Sequence, residues 1–77
     1  MPPRVDKDWQ DRVKRLLKAE LTGAGVSYRE LADRLRAMGI DENERNISNK
    51  ISRGGFTAAF FFQCMAAIGR KTVHLED

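Results

Sequence analysis

The chain has 77 residues, which leaves room for one domain around one hydrophobic core. Its composition, 42% apolar and 32% charged, is typical of a folded globular domain rather than a disordered tail. No apolar run approaches the ~20 residues that a membrane span needs, and the first residues lack an apolar signal core. Because the single cysteine excludes an internal disulfide, we expect a cytoplasmic protein with no membrane partner.

The net charge of +3 is mild, but its distribution is uneven. A basic balance favours nucleic acid as a partner, although a charge this small is a weak indication. The first 19 residues contain three aspartates and six basic residues. The basic residues are Arg4, Lys7, Arg12, Lys14, Arg15 and Lys18.

Residues 1–5 are expected to form a flexible arm, because Pro2 and Pro3 favour extended backbone. A first helix is predicted at residues 6–21, where apolar side chains recur at three- and four-residue spacing. This buried stripe consists of Trp9, Val13, Leu16, Leu17 and Leu21. The sequence TGAGV at residues 22–26 then breaks the pattern.

A second helix is predicted at residues 27–38. Ser27 and Glu30 have the spacing of a capping box at its start. Its apolar stripe consists of Leu31, Leu35 and Met38. Gly39 can end this helix in the left-handed conformation that glycine adopts at little cost.

A third helix is predicted at residues 41–53, with Asp41 and Glu44 as its capping box. Only Ile47 and Ile51 are large and apolar, so a narrow stripe faces the core. Gly54 ends the helix. The opposite face is polar and consists of Glu42, Arg45, Asn46, Asn49, Ser52 and Arg53.

A fourth helix is predicted at residues 57–69, capped by Thr57 and ended by Gly69. Ten of the eleven residues from Ala58 to Ile68 are apolar, so both sides of this helix need cover. Phe62 and Ala66 lie away from the side predicted to face the core, and we expect them to form a homodimer interface. The core side consists of Phe60, Phe61, Cys64, Met65 and Ile68.

Residues 71–77 show brief alternation, which allows a short strand or a tail. We favour a tail with partial packing of Val73 and Leu75. The predicted fold class is therefore all-α, a compact domain of four helices within residues 6–70.

Two capped helices, the second with a polar outer face, form a helix-turn-helix arrangement. The order VSYRELADRL, turn, NISNKISRGGF and apolar helix resembles the Cro/C1 (lambda-repressor-like, Xre-type) DNA-binding domains. It is most similar to a group of small, mostly uncharacterised bacterial proteins that share ISNKISRGGFTAAFF. The resemblance covers about residues 10–69, and the matching positions are Ser27, Leu31, Ala32, Leu35, Ile47, Ser48, Ile51 and Gly54.

The resemblance implies a lambda-repressor-like fold and sequence-specific binding of double-stranded DNA by a small bacterial transcriptional regulator. Its third helix would enter the major groove. The implied base contacts are Glu44, Arg45, Asn46 and Asn49. The implied backbone contacts are Ser27, Tyr28, Arg29, Lys50 and Arg53. The segment between the two helices, residues 36–43, is roughly five residues longer than in the family. The second helix could therefore be longer, or the turn could be wider.

An alternative function is a protein–protein interaction bundle that has kept the fold without binding DNA. The third helix favours it in one respect, because the acids near its start balance its basic residues. RNA binding is less favoured, since Tyr28 is the one aromatic residue expected beside basic groups. Enzyme chemistry is not expected, because His74 stands alone and Cys64 lies in the apolar run. We expect no cofactor, metal or small-molecule substrate.

Overall fold

The computed structural model describes residues 5–75, and side-chain surroundings from residue 8 onward. The four helices are α1 (Val5–Ala24), α2 (Tyr28–Ala37), α3 (Glu44–Arg53) and α4 (Ala58–Ala67). Residues 5–75 contain no strand, so the predicted all-α class with four helices is confirmed. Four of the five residues of the predicted arm at 1–5, and the last two residues of the predicted tail, lie outside the described residues. Val5 was wrongly predicted to be in the arm, because it begins α1.

Helix α1 is longer than predicted and buries less of its first turns. It continues through the sequence TGA to Ala24, and Gly25, at a φ of 70°, ends it. Trp9 was wrongly predicted to be buried, because 55% of it is exposed. The guanidinium carbon of Arg12 lies 4.8 Å from the centroid of its ring. The buried part of the stripe begins further along the helix, where other helices cross it, and includes Leu17 and Leu21.

Helix α2 begins as predicted and ends one residue earlier. The Ser27 hydroxyl accepts a hydrogen bond from the amide of Glu30 at 3.1 Å. The Glu30 carboxylate instead accepts from Arg34, one turn along the helix. Met38 was wrongly predicted to be buried: it follows the last helical residue and is 47% exposed. Gly39 has the expected left-handed conformation, with a φ of 85°.

The start of α3 differs from the prediction. Asn43, not Asp41, caps the helix, and its side-chain oxygen accepts a hydrogen bond from the amide of Asn46 at 2.8 Å. The long connection to α2 is therefore a wider turn of residues 38–43 rather than a longer second helix. Glu42 lies in this turn and is buried, so its predicted place on the polar face was wrong.

Helix α4 has the predicted cap and the predicted two sides. The Thr57 hydroxyl accepts a hydrogen bond from the amide of Phe60 at 3.0 Å. The side predicted to face the core is buried, while Phe62 is 61% exposed and Ala66 is also exposed. Residues 71–75 form an irregular, exposed tail, so the predicted packing of Leu75, which is 76% exposed, was wrong. None of the described helices has the length and apolarity needed to cross a membrane.

The core lies where α1 and α2 each contact both α3 and α4. Its buried apolar residues are Leu17, Leu21, Val26, Leu31, Ala32, Leu35, Ile47, Ile51, Phe60, Phe61, Cys64, Met65 and Ile68. Helix α3 meets α1 most closely at its last residues. The ammonium of Lys14 donates a hydrogen bond to the carbonyl of Ser52 at 3.3 Å. A Cβ atom at Gly54 would lie only 2.8 Å from the carbonyl oxygen of Gln10.

Cys64 is fully buried in this core and lies near a buried charge. The pKa of its thiol is raised from 9.0 to about 12, mainly by burial and also by the negative charge of Glu42, while Lys50 partly opposes the shift. The thiol therefore stays protonated in the folded protein at pH values where an unfolded chain would ionise it.

Gly54→Ala should destabilise the fold more than Gly39→Ala. Both glycines have positive φ, so each substitution costs about 1–2 kcal/mol of conformational energy. At Gly39 a Cβ atom meets nothing within 4 Å, whereas at Gly54 it meets the backbone of α1. We expect an additional loss of about 1–3 kcal/mol at Gly54 from overpacking, measured by chemical denaturation followed by circular dichroism. Equal losses would contradict the close approach of α1 to α3.

The free energy of unfolding should fall as pH rises through the range from about 9 to about 12. In this range the unfolded state loses the Cys64 proton while the folded state keeps it, so stability decreases by about 1.4 kcal/mol per pH unit. Below that range the contribution is fully present. Denaturation curves at several pH values measure the slope, and Cys64→Ala is the control because it removes this titration. An unchanged slope in Cys64→Ala would contradict the raised pKa of the Cys64 thiol.

Candidate nucleic-acid interface

The exposed face of α3 carries the four predicted base-contact residues. Glu44, Arg45, Asn46 and Asn49 are all exposed. On the opposite side of the helix, Ile47 and Ile51 are 0% exposed. Residues three and four positions apart lie side by side on a helix, so Arg45, Asn46 and Asn49 form a continuous polar surface. The structure thus separates the predicted contact residues from the core-facing stripe.

A shallow groove runs along the C-terminal half of this face. It brings together four of the residues predicted to contact bases or backbone, but not Glu44 and Arg45. The groove is lined by Asn46, Asn49, Lys50, Arg53, Gly55 and Phe56. Amides and cations therefore meet the backbone of the turn after α3, a combination that can bind phosphates and polar base edges.

Two of the three predicted backbone contacts at the start of α2, Ser27 and Tyr28, lie in a separate groove. It is lined by Lys18, Leu21, Thr22, Val26, Ser27 and Tyr28. Ser27 is occupied as the helix cap, and Tyr28 is half-buried against the core, where burial raises its pKa. Arg29 is exposed beside them. Sequence reasoning missed Lys18 as a member of this surface, although its place on the charged side of α1 was a possible signal.

Lys50 has a partner that the sequence did not predict. Its ammonium donates a hydrogen bond to Oε2 of Glu42, a residue only 5% exposed. The same ammonium lies 4.7 Å from the ring centroid of Phe60 on α4. The other oxygen, Oε1, is buried without a hydrogen-bond partner among the described residues. Since Glu42 and Lys50 are eight positions apart across the start of α3, no helical or strand periodicity could indicate this pair.

The ion pair also sets the charge balance near α3. The charges of Glu42 and Lys50 cancel each other. The remaining charges are those of Arg45 and Arg53, which are balanced in number by the exposed acids Asp41 and Glu44. The surface of α3 is therefore nearly neutral, as its sequence indicated. Attraction to a polyanion would have to come largely from other exposed cations, including Arg12, Arg15, Lys18 and Arg29.

The second exposed feature is the apolar side of α4. The Phe62 ring meets the edge of the Phe61 ring, with centroids 5.6 Å apart, but most of it faces solvent. Ala66, one turn further, is also exposed. The structure thus leaves the two residues of the predicted homodimer interface on the protomer surface.

Within the described part of the chain, no group of three His, Cys, Asp or Glu residues comes together to hold a metal ion. His74 is exposed in the tail, and Cys64 is buried with a raised pKa. Neither side chain belongs to such a group among these residues.

Comparison with known proteins places the chain in a family. The family described as “Domain of unknown function (DUF6471)” matches residues 9–73, and the chain belongs to it. No curated protein and no solved structure shows significant similarity to the chain. The family description names no activity.

Proposed function

We propose that this member of the DUF6471 family binds double-stranded DNA sequence-specifically through α3, as a small transcriptional regulator that acts as a homodimer. The observation that carries the proposal is the division of α3 into two faces. Its two isoleucines are 0% exposed, while Arg45, Asn46 and Asn49 all face solvent.

The dimensions of α3 suit the major groove. Ten helical residues span about 15 Å, and the groove is about 12 Å wide and accepts one helix. In helix-turn-helix proteins the N-terminal residues of the recognition helix contact base edges. Here Glu44, Arg45 and Asn46 occupy the first turn, and all three are exposed. The turn before α3 is wide, yet α2 and α3 remain packed against each other, as a helix-turn-helix unit requires.

Each exposed side chain has a suitable partner on a base or on the backbone. Arg45 can donate two hydrogen bonds to O6 and N7 of guanine, and Asn46 or Asn49 can pair with N6 and N7 of adenine. The Glu44 carboxylate can accept from N4 of cytosine. Phosphates would be contacted by a second group of residues, consisting of Ser27, Tyr28, Arg29 and Arg53. Lys50, which the sequence also predicted to contact the backbone, is paired with Glu42.

The homodimer accounts for the exposed apolar side of α4. Complete burial of a phenylalanine contributes roughly 1.5–3 kcal/mol, part of which Phe62 already gains within the protomer. A two-fold axis through this side would present two copies of α3 to half-sites one helical turn apart, about 34 Å. Two recognition helices would also compensate for the few base contacts that a single short helix can make.

Substitutions on α3 should separate base reading from backbone binding. Arg45→Ala and Asn49→Ala should each reduce discrimination between the preferred site and its variants by about 1–3 kcal/mol. Arg53→Ala should weaken binding to all sequences and reduce the slope of log K against log salt by about 0.9 per lost phosphate contact. The site is first obtained by selection from a random DNA pool, and affinities are then titrated at several salt concentrations.

Ser52→Ala is the matched control, because Ser52 is exposed on the same helix but is not a proposed contact. An unchanged preferred sequence in Arg45→Ala and Asn49→Ala would show that α3 does not read bases. If the folded parent binds no DNA, the protein–protein interaction bundle becomes the better interpretation.

Phe62→Glu should give a folded monomer that binds DNA much more weakly than the parent. Since Phe62 is 61% exposed, the charge should disrupt association without disturbing the core. Met38→Glu introduces the same charge at another exposed apolar residue and should leave association unchanged. Sedimentation equilibrium measures the association of the parent, Phe62→Glu and Met38→Glu proteins, and circular dichroism measures their helix content. A monomeric parent at tens of micromolar would contradict the dimer, and an unfolded Phe62→Glu would place Phe62 in the protomer core.

A further inference from the structure

Glu42 is the only buried charged residue among residues 8–75, and it lies in the wide turn between α2 and α3. A carboxylate removed from water is costly unless other groups compensate its charge. The compensation here comes from one hydrogen-bonded cation, Lys50, because Oε1 has no partner among the described residues. A turn residue would ordinarily face solvent, whereas Glu42 is 5% exposed.

The contacts of Glu42 connect three helices. Arg36 of α2 donates a hydrogen bond to the main-chain carbonyl of Glu42 at 2.7 Å, which holds the turn. Lys50 of α3 binds the carboxylate and covers the ring of Phe60 on α4. Cys64 of α4 is also close enough for its ionisation to be affected by the charges of Glu42 and Lys50. Glu42 is therefore placed to set how α3 sits against α2 and α4.

We propose that Glu42 is a positioning and specificity-determining residue, which holds α3 through Lys50 and withholds the Lys50 ammonium from DNA phosphates. The second half of this statement rests on the proposed DNA-binding function. Lys50 lines the groove beside Asn46 and Asn49, so without Glu42 its charge would face the same space as the proposed base contacts.

Without Glu42, the charge of Lys50 would increase the affinity for every DNA sequence equally. A cation that contacts phosphate adds affinity without sequence information and steepens the salt dependence by about 0.9. Pairing Lys50 internally lowers this uniform contribution and leaves Asn46 and Asn49 to discriminate between bases. Glu42 thus raises the ratio of specific to non-specific binding at the expense of total affinity.

The first experiment measures the pair without DNA. Lys50→Met keeps an apolar stem over Phe60 but leaves the Glu42 carboxylate buried and unpaired. The unfolding equilibrium constant should rise about 10- to 100-fold, the loss expected for one hydrogen bond to a charged group. Glu42→Gln should cost less, because the freed ammonium is 44% exposed and can be hydrated. The double variant Glu42→Gln/Lys50→Met should recover most of the loss of Lys50→Met. Denaturation curves of the four proteins decide this, and a double variant no more stable than Lys50→Met would overturn the positioning role.

The second experiment measures the salt dependence of binding to a DNA duplex selected with the parent protein. Glu42→Gln should steepen the slope by about 0.9, raise affinity for unrelated duplexes, and lower the ratio of selected to unrelated binding. The double variant should return to the slope of the parent. Asp41→Asn is the matched control, because it removes the same charge at the adjacent exposed position and should change the slope by much less than Glu42→Gln.

The outcomes separate this inference from the proposed function. If the parent binds DNA but Glu42→Gln keeps its slope while the double variant loses about 0.9, Lys50 already contacts phosphate and the inference is wrong. Equal changes of the salt slope in Glu42→Gln and Asp41→Asn would show that the effect comes from net charge alone. That result would also overturn the inference. If the folded parent binds no DNA, the proposed function and the specificity role fail together, while the denaturation cycle still decides the positioning role.

Discussion

The attachment of α3 to the rest of the molecule is the constraint on which the other features depend. Only Ile47 and Ile51 anchor its body, and both are completely buried. Two side chains one turn apart hold a helix against a core but leave it free to tilt about the line that joins them. Its orientation therefore depends on two further contacts. Glu42, in the turn before α3, binds Lys50 in the last turn of the helix, and Gly54 meets the backbone of α1 directly after it.

The two contacts act by different physical means. At Gly54 the approach of two backbones excludes any side chain, which is a steric restriction with no charge. At Glu42 a buried ion pair is involved, and such pairs are poor sources of net stability because desolvation offsets their attraction. What the pair supplies is a contact between specific atoms of the turn and of α3. This difference is the reason to assign Glu42 a role in positioning rather than in overall stability.

Two surfaces are left uncovered by this arrangement, the polar face of α3 and the apolar side of α4. A 77-residue domain buries only about 60–65% of the surface of its unfolded chain, so covering an apolar side would add to a small core. Polar amides with a guanidinium suit base edges, and an exposed phenylalanine suits a second protomer. The proposed dimer on DNA gives each surface a partner of the matching chemistry.

The sequence by itself determined what depends on neighbours along the chain. The caps Ser27 and Thr57, the buried pair Ile47 and Ile51, and the exposed face of α3 were all predictable, because helix periodicity and capping are local. Tertiary structure alone decided the rest. Trp9 and Met38 have the spacing of core residues, but they lie near the ends of α1 and α2 and are largely exposed. Glu42 and Lys50 meet because a turn folds back onto a helix, and its geometry follows from packing and has no signal in residue spacing.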